Sequence, residues 1–211
     1  MLRLAVTTAA ETFERVCDPL STRGIAVEHL QTDSRVVDPT SPPTDRFDVG
    51  FVYPSRLMEG GVVDGRRGIP WVNGREAVVT SRNKAGVVAT LSRAGVPVPE
   101  TRYVSNPADA DEVAAAAAEL GYPVVLKPNS TSRGVGVAKA TDPDSLLGTV
   151  DYLDLVHDYR ATGDRSYLLQ EFLPDARDYR VTVVDGRVVG GVERRLPPDA
   201  RESGRWKHNV H

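Results

Sequence analysis

Short apolar runs separated by polar segments make up the first part of the chain. Runs typical of β-strands occupy residues 2–6, 25–30, 47–53 and 69–72. The segment 11–23 between the first two runs predicts a helix, and the three prolines of segment 38–45 predict a loop. Together these elements predict a small α/β unit over residues 1–78, which opens with a βαβ arrangement.

Longer periodic segments follow. One helix is predicted to begin at an N-cap at Thr80 or Ser81 and to run to Ala94, where Gly95 ends it. Further helices are predicted at residues 109–120 and 145–155. Strands are predicted at residues 123–128, 137–140 and 167–173, and a hairpin at 180–184 and 188–192. Because a hairpin is marginal by itself, we expect this one to be under-packed.

Composition and charge exclude several classes of function. The 211 residues carry 26 Lys and Arg against 29 Asp and Glu, a net charge of −3, which disfavours direct nucleic-acid binding. There is no apolar run of 18 residues, which argues against a membrane span, and the single cysteine, Cys17, excludes an internal disulfide. We therefore expect a cytoplasmic protein, and the composition leaves a homo-oligomer open.

Lysine is rare in this chain, so its positions are informative. There are 22 Arg but only four Lys, at positions 84, 127, 139 and 207. Lys127 ends an apolar strand and is followed by a Ser- and Gly-rich loop, residues 130–136, whose backbone N–H groups could approach phosphate oxygens closely. The order of residues differs from a P-loop and from a dinucleotide fingerprint. The alternative is a turn between two strands with an exposed lysine.

Charged residues downstream have two interpretations as well. Glu171 interrupts an apolar strand, which by itself is typical of an edge strand facing water. Asp178 and Arg180 enter the predicted hairpin and Arg194 leaves it, and taken alone these charges are typical of a solvated surface.

Taken together, the motifs resemble those of a known family. In chain order they are Asn73, Asn83-Lys84, GVPVPET, PVVLKP with S-x-x-R-G-V-G, LLQEFL, D-Y-R, V-E-R-R and WKHNVH. This order resembles the ATP-grasp ligases, and within them the RimK-type carboxylate–amine ligases, from about Ile69 to His211. The resemblance implies an α/β (α+β grasp) fold: a Rossmann-like pre-ATP-grasp domain at 1–78, an ATP-grasp N-terminal subdomain at 79–166, and a hinge strand with an incomplete C-terminal subdomain at 167–211.

The resemblance also implies roles for particular residues. Lys84, Lys127, Lys207 and Asn209 would contact the ATP phosphates, and the loop from Ser130 to Gly136 would close over them. The hinge strand would meet adenine, and Glu171 or Asp178 would reach the ribose. Arg180 and Arg194 would face the γ-phosphate or the carboxylate substrate as catalytic residues. The full set of implied cofactor-binding residues is Lys84, Lys127, Ser130, Arg133, Gly134, Val135, Gly136, Gln170, Glu171, Phe172, Leu173, Asp178, Lys207 and Asn209.

The implied reaction joins a carboxylate to an amine with ATP and Mg²⁺, with glutamate or a related amino acid as one substrate and an amino acid, peptide or protein as acceptor. Only 16 residues follow Arg195, and the acidic metal-binding element of that family has no counterpart here. We therefore expect the metal ligands to lie beyond residue 211, and expect these 211 residues alone to bind ATP weakly without turnover. The alternative function is a non-catalytic module that binds ATP or a partner.

Overall fold

The computed structural model of the protein describes residues 1–44, 46–156, 164–199 and 204–207. The described residues fall into two compact units, one up to Val87 and one from Val88 onward. The predicted domain limits at residues 78 and 166 stay a prediction.

The N-terminal unit contains a four-stranded parallel sheet. Its elements are β1 (Leu2–Val6), a π-helical turn (Ala9–Phe13), α1 (Glu14–Ser21), β2 (Ile25–His29), β3 (Val49–Phe51), α2 (Leu57–Arg67), β4 (Trp71–Val72) and α3 (Arg75–Arg82). The strand order is β2-β1-β3-β4, and every neighbouring pair is parallel. The predicted βαβ opening and Rossmann-like α/β character are confirmed.

Helix α2 was not predicted, and an aromatic cluster explains why glycine is needed there. A Cβ at Gly60 would lie 2.6 Å from the Tyr53 ring, so only glycine lets the helix approach so closely. Tyr53 packs edge-to-face on Trp71 with ring centroids 5.2 Å apart. Asp64 of α2 accepts hydrogen bonds from Tyr53 Oη and Trp71 Nε1, both at 2.7 Å, and so joins the helix to the sheet.

The helix predicted to begin near Thr80 begins later. Thr80 and Ser81 lie inside α3, and α4 (Lys84–Arg93) follows after a break at Asn83. The Asn83 side chain accepts a hydrogen bond from Gly86 N at 3.0 Å and so caps α4. The predicted N-cap, Thr80 or Ser81, was therefore wrong by two or three residues. The side chain of Asn83 can also accept a hydrogen bond from a backbone N–H group, and it takes the cap position instead. Gly95 ends the helix as predicted, with φ +74°.

The second unit is built on a four-stranded antiparallel sheet and a separate hairpin. Its elements are β5 (Thr101–Val104), α5 (Ala110–Leu120), β6 (Val124–Pro128), β7 (Ala138–Ala140), α6 (Pro143–Val156), β8 (Tyr167–Glu171), β9 (Asp178–Val184) and β10 (Arg187–Arg194). The sheet order is β5-β8-β6-β7, and within the described residues of this unit β9 pairs only with β10. Strand β8 is therefore an interior strand, and the interpretation of Glu171 as an edge-strand residue is wrong.

The predicted hairpin forms and is under-packed, as expected. It turns at Asp185 (φ +49°) and Gly186 (φ +71°), which suits the twist of two antiparallel strands. Apolar side chains on both strands are more than half exposed, among them Val181, Val183 and Val188.

Candidate functional site

The four-stranded sheet has two faces of different character. On one face Val124, Leu126 and Leu169, none of them exposed, pack with residues of α5 and α6 in the main core of this unit. Strand register places a second set on the opposite face, which we call the site face: Thr101, Val125, Lys127, Lys139, Leu168 and Gln170. The sheet is therefore packed on the core by one face, and its other face, the site face, carries two lysines and two polar side chains.

Lys127 is the best-defined cation of the site face. Its Nζ donates a hydrogen bond to Gln170 Oε1 of the neighbouring strand. Burial lowers the pKa of Lys127, because removing an ammonium from water disfavours the charged form. In the part of the chain that the structure describes, no ion pair involves Lys127. A half-buried ammonium hydrogen-bonded to a neutral amide favours an anionic ligand.

The loop after β6 is anchored at its start and folded tightly at its end. Asn129, Ser130 and Thr131 are all buried, and the Thr131 hydroxyl donates to Val135 O at 2.9 Å. Burial raises the pKa of Asp164, but hydrogen bonds from Ser166, Ser130 and Asn129 outweigh that effect and hold it below the ordinary value. Ser130 therefore anchors the loop on a carboxylate.

The end of the same loop depends on backbone that glycine favours. Arg133, Gly134 and Gly136 have φ of +59°, +74° and +72°. A Cβ at Gly136 would lie 2.7 Å from Pro128 Cγ, so the loop backbone packs directly on the end of β6. Val135 is exposed, and its N–H donates to Ser132 O at 3.2 Å. These features fit a loop whose backbone could border a polyphosphate.

At the end of β8, the side chain and the backbone of Glu171 both bind the chain before β5. Glu171 N donates to Glu100 O at 3.0 Å, and Glu171 Oε1 accepts from Glu100 N at 2.7 Å. Leu173 is exposed, and its carbonyl accepts from Ala176 N at 3.3 Å. Glu171 thus ties the predicted hinge strand to β5, which its sequence context did not indicate.

Aromatic side chains surround a lysine that the sequence motifs did not single out. Lys139 Nζ lies 4.7 Å from the centroid of the Phe172 ring and 5.9 Å from that of Trp206. The two rings meet edge-to-face with centroids 5.9 Å apart, and Lys207 Nζ lies 5.7 Å from the Trp206 centroid. Two cations therefore lie near the Trp206 ring, and one of them, Lys139, also lies over Phe172. Only the register of β7 with β6, which pairs Lys139 with Val125, brings Lys139 to the site face.

The charged residues of the hairpin are engaged mostly with one another. Arg194 donates to Asp178 at 2.6 Å across the strand pair, and both side chains are roughly one-quarter exposed. Arg180 is exposed on β9. Neighbouring Arg177 and Arg195 lower the pKa of Glu193 to about 2 by hydrogen bonding and charge. The predicted pair of catalytic arginines thus comprises one ion-paired and one exposed side chain.

The remaining predicted residues lie elsewhere. Lys84 is the first residue of α4, in the N-terminal unit. Asn209 lies outside the described residues. Among those that are described, no three His, Cys, Asp or Glu side chains come together as a metal ion would need, so no ligand to Mg²⁺ is assigned. None of the described helices is both long and apolar enough to cross a membrane.

Known proteins resemble this chain over its larger part. The family model of the RimK-like ATP-grasp domain matches residues 81–211. Alpha-aminoadipate–LysW ligase LysX of Sulfurisphaera tokodaii is 33% identical over 142 residues, which are 66% of this chain and 45% of that protein. N-acetylaspartylglutamate synthase A of Homo sapiens is 33% identical over 125 residues, 58% of this chain and 30% of the relative. The chain thus spans less than half of the length of each of these two relatives.

Solved structures agree on the fold. A RimK domain ATP-grasp protein of Sphaerobacter thermophilus superposes with a TM-score of 0.70 at 26% identity, covering 91% of this chain and 72% of that one. D-alanyl-alanine synthetase A of Vibrio cholerae superposes with a TM-score of 0.66 at 14% identity, over 98% of this chain and 72% of that one, a likeness of fold alone. Since the family model covers well over half of the residues, this chain belongs to the RimK-like ATP-grasp family.

Proposed function

We propose that the protein is an ATP-dependent carboxylate–amine ligase of the RimK type. The observation that carries this proposal is Lys127, a half-buried ammonium bonded to a neutral amide and followed by a glycine-bearing loop, in a chain of the RimK-like ATP-grasp family. The two curated relatives named above are a ligase of alpha-aminoadipate and LysW and a synthase of N-acetylaspartylglutamate, which supports glutamate or a related amino acid as one substrate. The acceptor would be an amino acid, a peptide or a protein.

The proposed reaction has two steps. A carboxylate oxygen of the first substrate attacks the γ-phosphorus of ATP, the bond from phosphorus to the ADP oxygen breaks, and an acyl phosphate forms. The amine nitrogen of the second substrate then attacks the acyl carbon, loses a proton, and expels inorganic phosphate to leave an amide. Such chemistry needs positioned charges more than covalent help from the protein.

Lys127 would supply one of those charges. Its Nζ stands on the site face at the end of β6, where it would offset negative charge on the ATP phosphates. We propose phosphate contacts also for Lys84, Lys207 and Asn209, on the strength of the family motif. Mg²⁺ is expected for this family, but the donor sets of the described residues do not fit it, so no step is assigned to a metal.

The loop from Ser130 to Gly136 would cover the acyl phosphate. Its first residues are buried and fix its base, while Val135 in its second half is exposed. Excluding water matters here because water would hydrolyse the acyl phosphate in competition with the amine. Glu171 through Leu173 would border adenine, and the exposed Arg180 is the better candidate of the two arginines for the carboxylate substrate, since Arg194 is paired with Asp178.

The test compares ATP affinity in two matched charge deletions. Lys127→Met removes the ammonium but keeps much of the apolar stem, and Arg102→Met removes the same charge from the helix-covered face, where Arg102 pairs with Glu119. A charge-assisted hydrogen bond is worth roughly 1.5–3 kcal/mol, so Lys127→Met should weaken ATP binding by about 10- to 100-fold. Arg102→Met should leave ATP binding within about twofold, since a partly exposed ion pair contributes little.

Calorimetric titration with ATP, and with adenosine as a phosphate-free control, measures both effects. If the unmodified chain binds no ATP, or if Lys127→Met binds it as well as the unmodified chain, the proposal fails. Amide formation from glutamate and an amine would show ligase activity directly and would exclude the alternative, a non-catalytic nucleotide-binding module, while refuting the expectation that these 211 residues alone have no turnover.

A further inference from the structure

Three polar side chains on the site face form a continuous chain of hydrogen bonds. Gln170 stands between Thr101 of β5 and Lys127 of β6, because β8 lies between those two strands. Gln170 Nε2 donates to Thr101 Oγ1 at 2.9 Å, and Gln170 Oε1 accepts from Lys127 Nζ. Gln170 is 7% exposed, so water competes little for either end of its amide.

The donors and acceptors at both ends of the Gln170 amide determine its orientation, and the lysine can only donate. A threonine hydroxyl has one proton to give, and Thr101 Oγ1 gives it to the Pro99 carbonyl at 2.8 Å. The same oxygen can therefore only accept from Gln170, which requires the NH₂ group of the amide on that side. The amide oxygen must then face Lys127, and the reverse orientation would set two donors against each other.

We infer that Thr101 is a positioning residue that acts through Gln170 to hold the Lys127 ammonium in place for a bound triphosphate. The inference rests on the proposed function for its last step only, the contact with the triphosphate. The link from Thr101 to Lys127 stands on the hydrogen bonds alone. Thr101 itself contacts neither nucleotide nor substrate in this scheme, so it is not a catalytic residue.

The neutral amide of Gln170 suits a lysine that is proposed to bind phosphate. A carboxylate at position 170 would form an ion pair with Lys127 and neutralise the charge that the phosphates need. An amide oxygen orients the ammonium and leaves its net charge intact. The hydrogen bond to the Thr101 hydroxyl fixes the far end of the amide, so that the amide oxygen stays aimed at the Lys127 ammonium.

Thr101→Val is the direct test, with Thr101→Ser as its matched control. Valine keeps the shape and the β-branch of threonine and removes only the hydroxyl, whereas serine keeps the hydroxyl. Because the chain has only four lysines, NMR of selectively labelled lysine side chains gives four Nζ signals, each assignable from a Lys→Arg variant. This readout needs no nucleotide.

In Thr101→Val the Lys127 signal should move and its pKa should fall further below the ordinary value, because the ammonium loses a fixed acceptor. The signals of Lys84 and Lys207 should stay, and Thr101→Ser should behave like the unmodified chain. An unchanged Lys127 signal in Thr101→Val would overturn the inference. If the valine variant does not fold, Thr101→Ala removes the same hydroxyl without adding a methyl group in its place and must move the same signal.

Nucleotide binding supplies the second arm, as a double-mutant cycle. Thr101→Val should weaken ATP binding about 3- to 10-fold in the presence of Lys127 and leave it unchanged in a Lys127→Met background. An equal loss in both backgrounds would show that Thr101 acts independently and would overturn the inference. Absence of ATP binding in the unmodified chain would instead refute the proposed function, and the lysine signals would still decide whether Thr101 positions Lys127.

Discussion

The conformation of the loop that follows Lys127 predicts that a side chain at position 136 destabilises the protein. Alanine at this position would have to adopt φ +72°, and its Cβ would lie 2.7 Å from Pro128 Cγ. The left-handed conformation costs a residue with a Cβ roughly 1–2 kcal/mol. Pro128 is less than 2% exposed and ends β6, so its ring has little freedom to move away. Overpacking of this kind costs about 1–3 kcal/mol.

The two costs predict that Gly136→Ala lowers the free energy of unfolding by about 2–5 kcal/mol. Urea unfolding measures it, with Gly148→Ala as the control. Gly148 lies within α6, where an added Cβ meets nothing within 4 Å, so that variant should gain about 0.5–1 kcal/mol. The same chemical change in one unit is thus expected to have opposite signs at two positions.

The nucleotide should respond as well, because Gly136 belongs to the loop proposed to cover the phosphates. We expect Gly136→Ala to weaken ATP binding more than Gly148→Ala does. A Gly136→Ala variant within about 0.5 kcal/mol of the unmodified chain would refute the argument, since neither strain nor close contact could then exist at this position.

Three further predictions concern a hydrogen-bonded carboxylate, a buried tyrosine and a helix N-cap. Asp64→Asn should cost about 1–3 kcal/mol in urea unfolding, because the amide can accept from only one of the two donors, Tyr53 Oη and Trp71 Nε1, and its NH₂ group opposes the other. Burial, and to a lesser extent the charge of Asp154, raises the pKa of Tyr167 to about 12; the unfolded chain therefore releases that proton first, and about 2–3 kcal/mol of stability should be lost as the pH rises from 10 to 12. Tyr167→Phe should abolish that part of the pH dependence. Asp109→Ala should cost about 1 kcal/mol in thermal unfolding, because Asp109 accepts from two backbone N–H groups at the start of α5.

Sequence periodicity predicted which segments form strands better than it predicted which strands pair with one another. The apolar runs at 123–128 and 167–173 became β6 and β8, because β-branched and apolar side chains in short runs favour buried strands. The position of β8 inside the sheet depends on pairing with β5, whose Thr101 lies 69 residues before its partner Gln170. Local pattern contains no information on such a pairing, and for that reason the sequence alone could not exclude the alternative that Glu171 lies on an edge strand.

The glycine content of α2 explains why its sequence pattern did not predict a helix. Three glycines within its eleven residues lower its intrinsic helix propensity, so pattern alone indicated no element there. Gly60 is needed because the Tyr53 ring occupies the space of a side chain. The requirement comes from tertiary contact, and it overrides local propensity.

Site residues that are consecutive in the chain could be predicted from the sequence, whereas site residues that strand pairing brings together could not. Lys127 and its loop are consecutive, so residue types and order sufficed to propose them. Lys139 belongs to no motif, and Thr101 was only the last residue of GVPVPET with no role predicted for it. Both residues join the site face through the register of β7 and β5 with the neighbouring strands. A register can be known only once the strands are paired.

That register also explains why the core and the site cannot vary independently. Alternation along β6 sends Val124 and Leu126 into the core with no exposure and sends Lys127 to the opposite face. A slip of one residue would bury the ammonium among α5 and α6 and expel leucine into water, at a cost of several kcal/mol for the unpaired charge alone. Packing of the apolar face therefore fixes the position of Lys127 on the site face, and Gln170 on the neighbouring strand orients its ammonium.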